Sequence, residues 1–312
     1  MTHFTVGIDI SKAHLDVHRL PDGASVQFTN NTRGFRDLFE WIGDRPVERI
    51  VYEPTGAYHL AMEDALAAAE LPLAKVNPLH ARRFAQACGT RTKTDPVDAA
   101  MLARMGLTMK PDFTEVPSQI QRDLKALQIA RMALIKDRTA AKNRAKNINV
   151  ALLKQQNEKR LHHIESDLKA IEEAMLALIQ AEETTARAYQ IICSIPGIGG
   201  ITAVALLVEL LELGTLDAKQ AASLAGLAPH TRQSGQWKGK SFIGAGRKFL
   251  RNALYMPALV ACRFNPDMKA KYKQLTDQGK PAKVALTAIM RKLIILANAL
   301  IKNNRKWAPK GA

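Results

Sequence analysis

From Ser118 to Arg187 the chain runs for seventy residues without a glycine or a proline, and no other feature limits its architecture as much. Apolar residues recur near i, i+3, i+4 and i+7, the spacing of a helix with one apolar stripe. A stripe of that length needs a partner, which either a fold back onto itself or a second copy of the chain supplies. The expectation is an antiparallel pair that also carries oligomeric contacts. Within it, Gln121–Arg160 holds eleven basic and three acidic residues. That excess is either a solvated charged face or a surface for a nucleic-acid backbone.

The segments on either side read differently. Before residue 116 strand and helix signals alternate: strands over Phe4–Ile10, His14–Leu20, Ser25–Asn30, Arg49–Glu53 and Leu73–Asn77, and helices over Thr32–Ile42, Tyr58–Glu70 and Pro78–Ala87. This is the pattern of a three-layer mixed α/β domain. After residue 187 the chain reads as compact and mainly α-helical. Three segments follow: 1–115, 116–187 and 188–312.

Lys and Arg number 45 against 29 Asp and Glu, a formal charge of +16. With 47% apolar residues the chain can bury ordinary cores, which excludes a disordered basic tail. The charge favours polyanions, nucleic acid first, as partners. Cys88, Cys193 and Cys262 have no zinc-ligand spacing and read as free thiols of a reducing compartment. The N-terminus lacks a signal-peptide pattern, and the apolar stretches Ile201–Leu213 and Lys292–Ile301 fall short of the roughly 18 residues of a membrane span, so a place inside the cell is expected.

Four acids stand apart from the basic background. Asp9 ends the apolar strand of Val6-Gly7-Ile8-Asp9-Ile10-Ser11-Lys12, and Glu53 ends that of Ile50-Val51-Tyr52-Glu53-Pro54. Open α/β sheets bind ligands at such strand C-termini. Asp95 and Asp98 lie three apart in Lys93-Thr94-Asp95-Pro96-Val97-Asp98, on one side of a first helical turn. Clustered carboxylates repel one another unless a divalent cation neutralises them, and an all-oxygen set suits Mg²⁺ or Mn²⁺. The pattern proposes metal-assisted phosphoryl transfer. The plain alternative is that Asp95 and Asp98 merely start a helix. Lys12, Arg91 and Lys93 bracket the acids and are candidate phosphate contacts.

A second centre lies at Ser234. From Ala218 to Pro266 there are eight Lys or Arg and no acid. A serine attacks a phosphodiester only where cations stabilise the developing charge, and Arg232, Lys238, Lys240, Arg247 and Arg251 surround Ser234 in sequence. The alternative is a hydroxyl that only binds phosphate. Gly235-x-x-x-Gly239-Lys240-Ser241 imitates a P-loop, but Ser234 stands where its first glycine is required. Upstream, Ile195-Pro196-Gly197-Ile198-Gly199-Gly200 joins two helices. Gly197 and Gly199 either let backbone N–H groups reach a phosphate or make a tight turn between close-packed helices.

Taken together and in this order, Gly7-Ile8-Asp9-Ile10-Ser11-Lys12, Tyr52-Glu53-Pro54-Thr55-Gly56, Lys93-Thr94-Asp95-Pro96-Val97-Asp98-Ala99, the Ile195–Gly199 hairpin and Ser234-Gly235 followed by Leu250-Arg251-Asn252-Ala253-Leu254-Tyr255 resemble the DEDD transposases of the insertion-sequence one-ten family, a group that Piv-type DNA invertases also resemble. The resemblance implies a ribonuclease H-like (RuvC-like) N-terminal domain, a helical coiled-coil connector and a mainly helical transposase domain with a helix-hairpin-helix. It implies Asp9, Glu53, Asp95 and Asp98 as Mg²⁺ ligands and Ser234 as nucleophile. It further implies donor and target DNA, a guide (bridge) RNA, dimers that assemble into a tetramer with composite sites, and work at the bacterial nucleoid. A RuvC-like nuclease using metal-activated water is the second expectation from the same residues. The roles of Tyr58 and His59, near Glu53, stay open between chemistry and packing.

Overall fold

The computed structural model describes residues 3–89, 94–231, 233–235, 237–239 and 241–309, with residues 237 and 238 described by their backbone alone. The chain divides into two compact units, Met1–Val116 and Pro117–Ala312.

The first unit is built on strands β1 (Phe4–Ile10), β2 (His14–Leu20) and β3 (Ala24–Thr29), helix α1 (Thr32–Ile42), strand β4 (Val47–Tyr52), helix α2 (Leu60–Ala68), strand β5 (Leu73–Lys75) and helices α3 (Pro78–Ala87) and α4 (Asp95–Met109). The sheet order is β3-β2-β1-β4-β5. β1–β2 and β2–β3 are antiparallel, whereas β1–β4 and β4–β5 are parallel. Period-two alternation sorts the side chains. Val6, Ile8, Ile10, Ile50 and Tyr52 form one core with Phe35 and Leu38 of α1 and Met62 and Leu66 of α2. Val51, Ala74 and Val76 form the other with Leu102 and Met105 of α4. Burying each such Leu or Ile contributes about 1.5–3 kcal/mol. Asn31 caps α1 by accepting from the Gly34 amide at 3.0 Å, and Gly43 ends it at φ 62°.

The second unit opens with helices α5 (Gln119–Ala145) and α6 (Ala151–Gln180), which run antiparallel. Ser118 and Gln121 form a reciprocal capping box at the start of α5. Arg131 Nε donates to Glu172 at 2.8 Å, Arg138 Nη1 to Glu165 at 3.2 Å, and Asn157 Nδ2 to the Ala141 carbonyl at 3.1 Å. The expected antiparallel pair is thus a hairpin within one chain. Helix α7 (Glu183–Cys193) runs unbroken through residues 187 and 188, where the sequence pattern divides two segments. Ala181-Glu182 separates α6 from α7, at a junction that carries neither Gly nor Pro.

Helices α8 (Gly200–Glu209) and α9 (Ala218–Leu224) follow. Four two-residue strands come next: β6 (Pro229–His230), β7 (Gln233–Ser234), β8 (Trp237–Lys238) and β9 (Phe242–Ile243). Helices α10 (Lys248–Ala253), α11 (Tyr255–Phe264), α12 (Pro266–Asp277) and α13 (Ala282–Lys302) complete the chain. α13 is the centre of this core, with Leu286, Ile289, Leu293, Ile294, Ala297 and Leu300 buried against Ile192, Leu206, Leu250 and Ala261. Buried Asn298 is satisfied on both sides, accepting from Gly214 N and donating to Leu216 O at 2.8 Å each.

The apolar stretch Lys292–Ile301 belongs to a longer helix, α13. At 21 residues, with a mean hydropathy of 1.9 over its best window, α13 is long and apolar enough by those measures to span a membrane. Arg291-Lys292 interrupt the apolar run in sequence but not the helix, whose buried face forms core instead.

Candidate active site

The register of the parallel strands sets the geometry of the acidic centre. Ile8 pairs with Tyr52, so Asp9 and Glu53 occupy the next positions of β1 and of the chain leaving β4. Gly7 faces α4, since a Cβ there would meet the Ala99 carbonyl and the Ala103 amide. Asp9, two residues on, therefore shares that face. Val51 also faces α4, where its side chain would crowd a Cβ on Gly106, and Glu53 follows it by two. α4 crosses the sheet on this face with Asp95 and Asp98 in its first turn.

The Asp9 carboxyl senses the other three acids. The Asp9 carboxyl is pushed up to about 6 from an ordinary 3.8, first by burial, then by the charges of Asp95 and Asp98, with a further push from Glu53. The Ile10 amide, donating to this carboxylate, opposes the shift without cancelling it. The donor set is carboxylate oxygen throughout, which is the chemistry a hard divalent cation takes. Among the described residues, however, no three His, Cys, Asp or Glu stand together as a formed ligand set. The four acids share a field without forming a closed shell.

Two features that hold this centre are not legible as motifs. Asn30 Nδ2 donates to the Ser11 carbonyl at 2.9 Å and the Tyr58 carbonyl at 3.0 Å, tying the turn after Asp9 to the loop after Glu53. Behind β4, fully buried Glu63 accepts from Lys75 Nζ at 2.9 Å and lies 3.4 Å from His59 Nε2. Burial and the Glu63 charge push the Tyr52 hydroxyl well above its ordinary range. His59 therefore belongs to a buried ion-pair group on the sheet face opposite the acids. Asp16, directly across from Asp9 in the antiparallel register, is buried and accepts from Gln27 at 3.0 Å.

The serine centre is more open. Ser234 is exposed at the end of β7 and pairs with Trp237, and Gly235 turns the chain at φ 54° with open space around it. Arg247 and Arg251 differ from the expected phosphate ligands. Arg247 donates to Glu212 through both terminal nitrogens, at 2.7 and 2.8 Å, and to the Glu209 carbonyl. Arg251 donates to the carbonyls of Ala245 at 3.0 Å and Gly226 at 3.3 Å. In this structure both hold the fold around the loop. Lys12 is exposed in the β1–β2 turn. Arg91, Lys93, Arg232 and Lys240, and the Lys238 side chain, lie outside the described residues.

The two hairpin glycines differ in their surroundings. Gly197, at φ 107°, packs where a Cβ would come within 2.8 Å of Ala261, so it serves close helix packing. Gly199 caps α8 and faces open space.

Family models match both units: one described as "Transposase" over residues 6–153, the other as "Transposase IS116/IS110/IS902 family" over residues 189–273. The pilin gene-inverting protein of Moraxella bovis is 32% identical over 98% of both chains, and that of Moraxella lacunata 33% over the same share. The chain belongs to the IS116/IS110/IS902 transposase family. An uncharacterized 43.6 kDa protein of insertion element IS110 from Streptomyces coelicolor is 30% identical over 43% of this chain and 33% of its own length. Membership in this transposase family makes the chain an enzyme of the recombinase class. Mixed sheet followed by helices is the architecture in which the family's matched segments lie here.

Proposed function

We propose that this chain cuts and exchanges DNA strands, as the recombinase of an insertion element or an inverting DNA segment. The observation that carries this reading is the shared field of Asp9, Glu53, Asp95 and Asp98 at the C-terminal edge of β1 and β4, expressed in the raised Asp9 carboxyl. We read residues 1–115 as a RuvC-like domain, 116–187 as a coiled-coil connector and 188–312 as a transposase domain with a helix-hairpin-helix. The parallel β1–β4 pair with α4 across it supports the first assignment, and the α5–α6 hairpin the second.

In this reading the four acids hold Mg²⁺, or Mn²⁺ in its place, which when bound supplies charge neutralisation at the phosphate and activation of the attacking oxygen. The chain's own parts do the rest. Gly7 and Gly106 let α4 lie against the sheet so that its first-turn acids reach Asp9. Asn30 holds the Asp9 and Glu53 loops together. The Ser234 Oγ, its proton passing to solvent, attacks a DNA phosphorus and forms a phosphoseryl ester as the bond to the leaving DNA oxygen breaks, and that oxygen takes a proton from solvent to depart as a hydroxyl. Reversal of the step onto a second DNA end completes exchange. We assign the pairing of donor and target DNA to a guide RNA, and the assembly to a tetramer of two dimers with composite sites, on the strength of the motif resemblance.

A second reading has a specific observation in its favour. Arg247 and Arg251 are held by Glu212 and by backbone carbonyls, which takes two of the expected cations away from the Ser234 hydroxyl. In it, water is the nucleophile and Ser234 only binds phosphate. A recombination assay with the element ends and their flanking non-coding RNA separates the two. Ser234→Ala should abolish strand exchange and any covalent protein–DNA adduct, while retained cleavage without an adduct would establish water as nucleophile. Asp9→Ala and Asp98→Ala should each abolish metal-dependent cleavage, and full activity in both would remove the acidic centre.

A further inference from the structure

At the turn of the α5–α6 hairpin an open pocket of about 510 Å³ is lined by Arg144, Asn147, Leu153, Gln156, Asn157 and Arg160. That volume falls in the range of small-ligand sites, roughly 300–1,000 Å³. Its chemistry is uneven in an informative way. Over residues 142–160 there are six basic side chains and one acid, Glu158. Lower on the hairpin, Arg131 and Arg138 are matched by Glu172 and Glu165. Arg144 and Arg160 are exposed and have neither an ion pair nor a side-chain hydrogen bond among the described residues. Guanidinium forks left in this state suit a phosphate or carboxylate.

Asn157 adds a second, independent requirement. It is 6% exposed, and its Nδ2 donates to the Ala141 carbonyl at 3.1 Å. Its Oδ1 is buried and has no hydrogen-bond partner among the described residues. A buried acceptor without a donor is unfavourable, so a ligand N–H or O–H that reached it would be bound more tightly. Leu153 and Ile148 supply apolar surface on the same wall. One small group combines an anion for two arginines, a donor for one amide oxygen and a flat face for aliphatic side chains: a nucleotide.

We propose that the hairpin tip binds an unpaired nucleotide of a nucleic-acid strand, its phosphate on Arg144 and Arg160 and a base amine or ribose hydroxyl on Asn157. A duplex offers phosphates but keeps its base faces stacked, whereas single strands splay theirs out for such pockets. This inference rests on the recombinase reading only in that a nucleic acid is the expected partner.

The test uses the full chain and single-stranded oligonucleotides of one mixed sequence, as RNA with 4-thiouridine and as DNA with 4-thiothymidine, cross-linked by light and mapped by peptide mass spectrometry. Cross-links within residues 143–160 are expected. RNA alone would mark the ribose hydroxyl as the Asn157 donor, and both strands would mark the base amine; either supports the site. Arg144→Ala with Arg160→Ala, both at exposed positions, should leave thermal unfolding unchanged and lower the salt slope of single-strand binding by about 0.7, the value for the one phosphate the pair holds. Asn157→Leu should cut the cross-link yield at unchanged salt slope. Cross-links confined to other segments, or unchanged yield and slope in the folded double variant, would overturn the site. DNA exchange by a chain with no tip cross-link removes this site and leaves the recombinase reading intact; a tip cross-link in a chain that exchanges no DNA does the reverse.

Discussion

Gly7 stands directly beneath the Ala99 carbonyl, with no room between strand and helix for a β-carbon. This contact sets how closely α4 approaches β1, and so how near Asp98, one residue before Ala99, lies to Asp9. Gly7→Ala should destabilise the first unit by about 1–3 kcal/mol through overpacking. Strand cleavage should fall further than folding does. Equal losses in Tm and in activity measured well below that Tm would show that the spacing of α4 has no separate role.

The raised Asp9 carboxyl makes stability depend on pH in a defined sense. Its folded value, about 6, lies above its ordinary 3.8, so the folded chain binds this proton more tightly than the unfolded chain. The resulting stability is complete below the unfolded value and lost as pH rises through about 6. Asp9→Asn should therefore raise Tm relative to wild type above about pH 7 and bring the two together toward pH 4, as thermal melts without divalent ions would record.

Arg247 and Glu212 predict the opposite direction in the second unit. Hydrogen bonds from Arg247 hold the Glu212 carboxyl below its ordinary value. The pair's contribution is present above the ordinary carboxylate range and lost as acidification passes the lowered value. With both side chains about a third exposed, it should be worth on the order of 1 kcal/mol. Arg247→Gln should lower Tm at neutral pH and flatten its fall in acid.

Gly197 supplies a test of the helical hairpin. At φ 107°, beside Ala261, any side chain meets both backbone strain and a neighbour. Gly197→Ala should cost about 2–4 kcal/mol in unfolding melts. Gly199→Ala, facing open space, should leave stability nearly unchanged, so any loss of DNA affinity in that variant isolates the hairpin's contact role.

The acids were readable because each interrupts a pattern: Asp9 and Glu53 close apolar strands, and Asp95 and Asp98 sit at a helical spacing within a basic background. The elements that hold them were not. Asn30 reaches partners 19 and 28 residues away, and the Glu63–Lys75 pair lies behind β4, so neither leaves a local signature. Composition counts charges but not their partners, which is why Arg247 and Arg251 read as phosphate ligands although Glu212 and two carbonyls hold them. The α5–α6 turn was hidden for a related reason. It carries no Gly or Pro, and Asn147 and Asn149 alone mark it. Arg291-Lys292 split the apolar run of α13 in the sequence, although the helix continues through both residues.

Calorimetric titration of Mn²⁺ into the full chain near pH 6 shows whether Asp9, Glu53, Asp95 and Asp98 together hold a divalent cation. Saturable binding is expected, with release of a proton from Asp9 that fades as pH rises and the carboxyl is already ionised. Asp9→Asn and Asp98→Asn should each weaken it severely. Absence of saturable binding by the wild type, or binding that neither substitution alters, would remove the metal site from these four acids.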